Sequence, residues 1–332
     1  MKTVWLSWHR SSRSVGLAAA MNIPLVAWQL EGPAILRHSV SALWTAFRLV
    51  MDRPRIIFLQ HSFVLALMVA CWKRCAPWRV VVVDDCHTKA LRRRMGGPLG
   101  PLFQRLRTWS ISSFDLVTLA TPSLVDEARD LGCPIRVIPD PLHDWPDTCE
   151  TEGLRTRLAL SDEAPVVTAV CSFAEDEPVD ALLEGVKQVH EAQICITGRP
   201  PPGVSDTPLP ENARLTGFLP PAEYRALLVT SDCVVVLTRD EGCFLSGAGE
   251  ALSLAKPLVT SDTSSLRRDF GEAAVYVQPE ARSIAYGIQS ALERREELVD
   301  NALRLRQTRR ESQLETLRDL QEHVRGLQRG GG

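Results

Sequence analysis

The run VVVLTRDEGCFLSGAGEALSLAKPLVTSD, residues 234–262, holds the residue types best placed to do chemistry. An apolar strand pattern ends at Leu237, and a polar loop from Thr238 to Phe244 follows. Ser246, Gly247, Ala248 and Gly249 then open a helical pattern that carries Glu250. Small residues let a phosphate approach a helix N-terminus, where unpaired N–H groups and the helix dipole favour an anion. A carboxylate one turn further in can accept hydrogen bonds from a ribose diol. Lys256-Pro257 ends the helix before the next strand. The same run also suits an ordinary strand–helix–strand crossover whose helix begins with small residues.

A second group of candidates lies in the first half of the chain. His87 follows the strand-like run VVVVDD and can orient or deprotonate a hydroxyl, or touch a transferred group. Asp85 can fix its tautomer. A loop histidine bonded to backbone is the plainer reading. Arg10, Arg13 and Ser14 follow the first strand, where guanidinium groups can grip an anion bidentately or simply form a solvated basic loop.

Residues 89–109 mix Lys89, Arg92, Arg93, Arg94, Arg105 and Arg107 with Met95, Leu99, Leu102 and Phe103. Basic and apolar residues together suit an amphipathic membrane-surface element or a lipid-phosphate acceptor site; a simple amphipathic helix is the alternative. No nucleic-acid recognition motif accompanies the patch, and no nucleic-acid partner is expected. The Cys and His spacings form no zinc pattern, and no metal is expected. Asp84-Asp85 has the form of a metal-binding acidic pair, but it ends a strand.

The elements that must position these residues follow from periodicity. Strands are expected near 3–7, 24–28, 56–60, 79–84, 116–120 and 136–138, with helices near 34–51, 63–75, 99–113 and 122–131. The segment PDPLHDWPDTCETEG, rich in Pro, Asp and Thr, reads as a linker. The alternation then restarts, with strands near 166–171, 194–197, 214–215, 233–237, 258–260 and 275–277. Helices are expected near 178–190, 221–230, 246–255 and 282–297. A charged helix over 298–328 closes the chain, with an apolar stripe at 303, 305, 314, 317, 320 and 324. Its expected role is to pack back on the body; partner binding is the alternative.

Strands alternating with helices predict parallel sheets covered on both faces. The expected fold class is α/β, with two Rossmann-like doubly wound domains facing across a cleft. The expected boundaries are 1–148 for the first domain, 149–163 for the linker and 164–297 for the second. At 332 residues, two cores fit the length.

Charge divides the halves. Residues 1–148 hold 18 Lys+Arg against 11 Asp+Glu, a net +7; the rest hold 20 against 29, a net −9. All eight Trp fall in the first half. A basic, Trp-rich half suits an anionic membrane surface or a phosphate-bearing partner, or a core packed with Trp beneath solvated charge. The nine Cys are odd in number and contain no CxxC pair, which fits reduced thiols and a cytoplasmic setting. No secretory leader is visible. The apolar run 56–72, broken by Gln60, His61 and Ser62, is too short to span a membrane.

The segment around Glu250 resembles the donor-site signature of GT-B fold glycosyltransferases, especially glycosyltransferase family 4. There an acidic-Gly loop leads to a helix of the form E-A-x-x-x-x-K-P, matched here by EALSLAKP. LPENARLTGFLPPAEYRALLVTSDCVVVL is similar to the stretch that precedes it in that family. Looser likenesses to a bacterial subgroup are WHRSSRSVGLAAAMNIPL, VVVDDCHTKAL and VIPDPL.

The resemblance implies transfer of a sugar from a nucleoside-diphosphate sugar to a hydroxyl acceptor, with retention of configuration and no cofactor. It implies that Glu250 binds the donor ribose and that backbone at Gly217 and Phe218 lies beside the base. Glu241 or Asp240 is the candidate for the first member of the family's glutamate pair. Glu241 and Glu250 stand one residue further apart than the family's spacing.

The family also places a basic pair in the loop and helix after the second domain's first strand. Here that region reads CSFAEDEPVDALLEGV, without Lys or Arg. Arg239 and then Arg199 are the substitutes expected to hold the diphosphate, with Ser172 and Phe173 offering backbone N–H groups. The acceptor is expected to be a lipid-linked or polysaccharide glycan at the inner membrane face. A non-catalytic nucleotide-sugar-binding subunit and a nucleotide-sugar epimerase are the competing readings.

Overall fold

The computed structural model describes residues 2–330 except 10, 29, 31, 87–90, 92–95, 146–151, 205–207 and 243–244. His87, Lys89 and Arg10, three of the expected site residues, lie outside the described residues. The chain divides into two compact units, residues 1–141 with 311–332, and residues 142–310. The division therefore falls at Pro141/Leu142, inside the Pro-, Asp- and Thr-rich segment and ahead of the expected linker at 149–163, and residues 311–332 belong with the first unit.

The first unit is built on a six-stranded parallel sheet. Its strands are β1 (Thr3–Ser7), β2 (Leu25–Ala27), β3 (Ile56–Gln60), β4 (Val81–Cys86), β5 (Leu116–Leu119) and β6 (Ile135–Val137). The order is β2-β1-β3-β4-β5-β6. Helices α1 (Ser12–Ala20), α2 (Ala34–Asp52), α3 (Phe63–Cys75), α4 (Gly100–Ser112) and α5 (Val125–Ala128) connect them. Val80–Val83 are buried, as a strand covered on both faces requires.

Helix α1 was not expected from periodicity. Its sequence SRSVGLAAA is short and rich in small residues, and the side chain of Ser11 caps it by accepting from the Ser14 N–H.

Of the first-half tryptophans, Trp5 and Trp8 are buried. Trp5 stacks on Phe58 and Trp28 on Trp44. They serve as packing, and none of them is an exposed anchor.

The second unit carries the matching six-stranded parallel sheet, ordered β12-β11-β10-β7-β8-β9. After helix α6 (Glu152–Arg157) come β7 (Val166–Ala169), α7 (Val179–Val186), β8 (Gln193–Thr197) and β9 (Ala213–Gly217). Then follow α8 (Pro221–Thr230), β10 (Cys233–Val236), α9 (Ser246–Ser253), β11 (Leu258–Ser261), α10 (Ser264–Phe270), β12 (Ala274–Val277) and α11 (Ala281–Glu293).

The closing helix α12 runs from Arg295 to Arg329. Leu298 and Ala302 are buried in the second unit's cores. Leu317, Leu320 and Val324 pack with Trp5, Phe58 and Val81 in the first unit. Leu303 and Leu314 of the expected stripe are exposed. Among the described residues no helix is long and apolar enough to cross a membrane.

Candidate functional site

In the second unit the strand order runs outward in both directions from the neighbours β7 and β10. The loops after these two strands diverge, which opens a crevice at their C-terminal ends where such sheets bind ligands. Loops that follow β7, β8, β9 and β10 at this edge of the sheet carry candidate residues.

Helix α9 starts with Ser246 exposed and Gly247, Ala248 and Gly249 buried. No side chain caps it. A Cβ at Gly247 would stand 2.8 Å from Val170 Cγ1 and 3.3 Å from Val236 Cγ1. The small residue therefore seats the helix directly on β7 and β10, which is a packing reason for it in addition to any ligand.

Glu250 projects from α9 and its side chain is 14% exposed. Its Oε2 accepts from the Tyr224 hydroxyl at 2.5 Å, and His143 Nε2 lies 3.8 Å from its Oε1. Burial pushes the Glu250 carboxyl above the usual carboxylate range, and the Tyr224 hydrogen bond works against that shift. Burial first, and then the neighbouring carboxylate, push the Tyr224 phenol well above its usual value, so it stays a donor. The His143 ring stacks on Trp145 at 4.5 Å, and its backbone N–H donates to Ser253 Oγ on α9.

Glu241 does not join this group. Its carboxylate accepts from Ser264 Oγ at 2.6 Å and from the backbone N–H groups of Ser264 and Ser265, at the start of α10. Those hydrogen bonds, Ser264 Oγ foremost, outweigh burial and hold its carboxyl below the usual range. The Glu241 carboxylate, expected at the donor, is thus engaged by the first residues of α10, whose N-cap is Thr263.

The loop after β7 contains Ser172 and Phe173. The Ser172 N–H and hydroxyl both donate to the carboxylate of Glu177, at 2.9 and 2.8 Å. The Ser172 N–H expected to meet the donor is thus turned onto a side chain of the same loop, while the Phe173 N–H is directed at the Cys171 sulfur.

Arg239 donates to the Glu177 carbonyl from its guanidinium at 2.8 Å and to the Asp176 carbonyl from its backbone N–H at 2.6 Å. Its side chain therefore flanks the loop after β7. Arg199 lies over the ring of Phe218 at 4.9 Å, and Phe218 is 66% exposed. The turn that presents this pair needs Gly217 at φ +69° and Gly198 at φ +102°. A Cβ at Gly198 would collide with the Cys171 carbonyl oxygen.

In the first unit the order reverses between β1 and β3. Asp85 on β4 is 1% exposed and Arg13 on α1 is 5% exposed. Arg13 Nε and Nη2 grip both Asp85 oxygens at 2.8–3.1 Å, and Nη1 binds Asp140 at 2.7 Å. Thr118 Oγ1 adds a bond to Asp85 at 2.8 Å. Burial works to lower the Arg13 pKa, but attraction to Asp85 and Asp140 and their hydrogen bonds outweigh it, so the guanidinium stays charged. The expected acceptor-side anion grip at Arg13 is corrected: α1 folds its first turn inward, and the guanidinium becomes an internal tie. Ser14 is likewise fully buried.

Strand alternation sends Asp84 to the opposite face from Asp85. His61 Nδ1 lies 2.7 Å from Asp84 Oδ2, and Cys86 Sγ 3.3 Å from the same oxygen. Among the described residues His61, Asp84 and Cys86 form the one group with ligand atoms close enough to share a metal. Burial and Asp84 push the Cys86 thiol well above its usual value.

Residues 7–141 match the family model described as a glycosyl transferase 4-like domain. Residues 164–294 match that described as glycosyl transferases group 1. The chain belongs to the GT-B glycosyltransferases. No curated protein sequence matches it significantly. Among solved structures this glycosyltransferase is similar to sucrose-phosphate synthase from Thermosynechococcus elongatus, with TM-score 0.73, 13% identity, and 98% and 100% of the two chains covered. It is similar to Anabaena HepE in complex with UDP, with TM-score 0.71, 14% identity, and 98% and 100% covered. A third is the UDP-forming α,α-trehalose-phosphate synthase from Burkholderia xenovorans in complex with glucose-6-phosphate, with TM-score 0.70, 12% identity, and 98% and 100% covered. These identities show a shared fold.

Sequence reading of this glycosyltransferase missed His143, Tyr224, Glu177 and the His61–Asp84 pair. His143 stands directly after the VIPDPL match, which was a usable signal. Tyr224 lies in the stretch similar to the family's and Glu177 in the loop without Lys or Arg, but each acquires its partner only through folding.

Proposed function

We propose that this glycosyltransferase takes its sugar from a nucleoside-diphosphate sugar held at the C-terminal edge of the second sheet, and passes it to a hydroxyl of a lipid-linked or polysaccharide acceptor. The observation that carries the donor half is Glu250, a mostly buried carboxylate on α9 bonded to a neutral hydroxyl and faced by His143. A buried carboxylate with such partners can exchange one for a ribose diol without leaving a charge pair broken. Arg239 beside the loop after β7, and then Arg199 on the exposed face of Phe218, are the cations this reading assigns to the diphosphate, with the backbone at Gly217 and Phe218 beside the base. The complexes of the neighbours with UDP support the choice of UDP as the first probe. Retention of configuration, reaction without a cofactor or obligatory metal, and action at the cytoplasmic face belong to the same reading and rest on the family resemblance.

The test begins with a thermal-shift screen of UDP-, GDP-, dTDP- and ADP-sugars, since a ligand of the folded state raises Tm. Calorimetry of Glu250→Ala with the best ligand should then show affinity lower by about tenfold or more. Unchanged affinity would remove Glu250 from the donor site. A second reading, a nucleotide-sugar-binding subunit without transfer, draws on the acidic loop after β7. Release of nucleotide from the best donor, with candidate acceptors, separates the two.

Peripheral membrane contact has its own support in α2. Its buried positions include Ser41, Thr45 and Leu49, while Leu36, Val40, Leu43, Phe47, Val50 and Met51 are exposed. This helix turns an apolar stripe outward, the reverse of an ordinary surface helix. Arg37, Arg48 and Arg53 stand on or beside it, in the half that carries net +7. Basic and apolar groups on one helix fit an anionic bilayer surface. Leu43→Glu with Phe47→Glu should abolish sedimentation with vesicles containing phosphatidylglycerol; retained binding would place the contact elsewhere.

A further inference from the structure

The loop after β7 has the form of an anion slot. Phe173 sits at φ +60°, a left-handed conformation rare for a residue with a side chain. Left-handed residues in a turn bring neighbouring backbone N–H groups to face one point, and such concavities bind carboxylates and phosphates. Here the N–H groups of Ser172 and Ala174 and the Ser172 hydroxyl converge, and the occupant is Glu177. Ser172 N lies 2.9 and 3.1 Å from its two oxygens, Ser172 Oγ 2.8 Å and Ala174 N 3.3 Å. Cys171 Sγ also donates to it at 3.0 Å.

The slot stands at the point where the strand order reverses, and it is linked to the loop after β10. Thr238 Oγ1 donates to Asp176 Oδ2 at 2.9 Å, and Arg239 donates to the Glu177 carbonyl. These ties hold the main chain of Glu177 in place while leaving its side-chain rotation unconstrained by them. Turning the Glu177 side chain outward would expose two backbone N–H groups and a hydroxyl beside the Arg239 guanidinium. With the side chain in place, an incoming anion meets a negative charge, with Glu175 and Asp176 adjacent in the chain.

We propose that Glu177 is a built-in competitor for the phosphate of the donor, occupying the N–H groups of Ser172 and Ala174 until the donor displaces it. The proposal rests on the donor reading above and adds to it: the slot's ligand class is a phosphate or diphosphate group, and Glu177 sets its affinity. The exchange breaks no covalent bond. The carboxylate's hydrogen bonds pass to water and the slot's pass to phosphate oxygens. An acidic residue in this loop, where the family resemblance implies a basic pair, thereby weakens donor retention, and a donor binds only by outcompeting it.

The test is calorimetric titration of the full chain with inorganic pyrophosphate and, separately, UDP. Glu177→Ala should bind both about tenfold tighter than the parent chain, as expected when a charge-assisted competitor is removed. Glu177→Gln, which keeps the shape without the charge, should shift in the same direction by less, and it decides the matter if the alanine variant does not fold. Measurable binding in a variant where the parent shows none also supports the proposal. Unchanged or weaker affinity for pyrophosphate in a folded variant overturns it. Pyrophosphate carries neither base nor sugar, so its result is separable from the donor screen. A donor found without tightening in Glu177→Ala removes only the competitor. Tightening without any nucleotide-sugar ligand leaves the slot and removes the donor reading.

Discussion

Asp85 in the first unit and Glu250 in the second are both carboxylates buried towards the C-terminal edge of a parallel sheet, yet their surroundings are opposite. Asp85 meets the charged fork of Arg13, which also binds Asp140. Glu250 meets a neutral phenol and a histidine at longer range. A fully engaged buried ion pair holds elements together and has little to offer a ligand. A buried carboxylate with neutral partners stores part of its desolvation cost, and a ligand that hydrogen-bonds to it recovers that cost. On this contrast Asp85 is a fastener, and Glu250 is the group proposed to bind the donor.

The largest expected effect tests the fastener. Arg13→Met leaves buried Asp85 and half-buried Asp140 facing an apolar side chain and should cost about 3–5 kcal/mol in urea unfolding. A loss below 1 kcal/mol would mean that the tie is not needed, and the contrast would collapse.

An effect of opposite sign tests Glu250. Its folded pKa is raised, so its ionised form works against folding, and stability falls as pH rises from the ordinary carboxylate range through the folded value. Glu250→Gln should therefore raise Tm at neutral pH by about 2–4 °C while weakening nucleotide binding. The gain should fade on acidification and be absent below the ordinary carboxylate range. A gain that persists at low pH would point to packing as its origin.

The smallest effect concerns Glu241, whose folded pKa is lowered by its bonds to Ser264 and Ser265. Its contribution is present above the ordinary carboxylate range and lost as pH falls through the folded value. Glu241→Gln should cost about 0.5 kcal/mol at neutral pH and leave nucleotide affinity unchanged. A drop in affinity would return Glu241 to the donor site.

Much of the fold was legible in local pattern. Runs such as Val80–Val83 and the strand–helix alternation are periodic signals that any window of the chain displays. The helix start at Ser246 and the position of Glu250 on it were legible for the same reason. Helix α1 was not, because SRSVGLAAA has too few large apolar residues to show a period. The fate of Glu241 was also hidden: its partners Ser264 and Ser265 lie 23 and 24 positions away. The helix at α2 was expected, and only burial revealed that its apolar side is the outer one.

The sequence by itself determined two α/β units with parallel sheets and a helix carrying Glu250 after an apolar strand. Those features depend on near-neighbour spacing, which chain order alone supplies. The tertiary structure decided which charged groups bind each other. Arg13 reaches Asp85 across 72 positions and Asp140 across 127, Tyr224 reaches Glu250 across 26, and Glu177 turns back to fill the slot of Ser172. Electrostatic and hydrogen-bond partnership is set by distance in space and by burial, and neither quantity exists until the sheets have assembled.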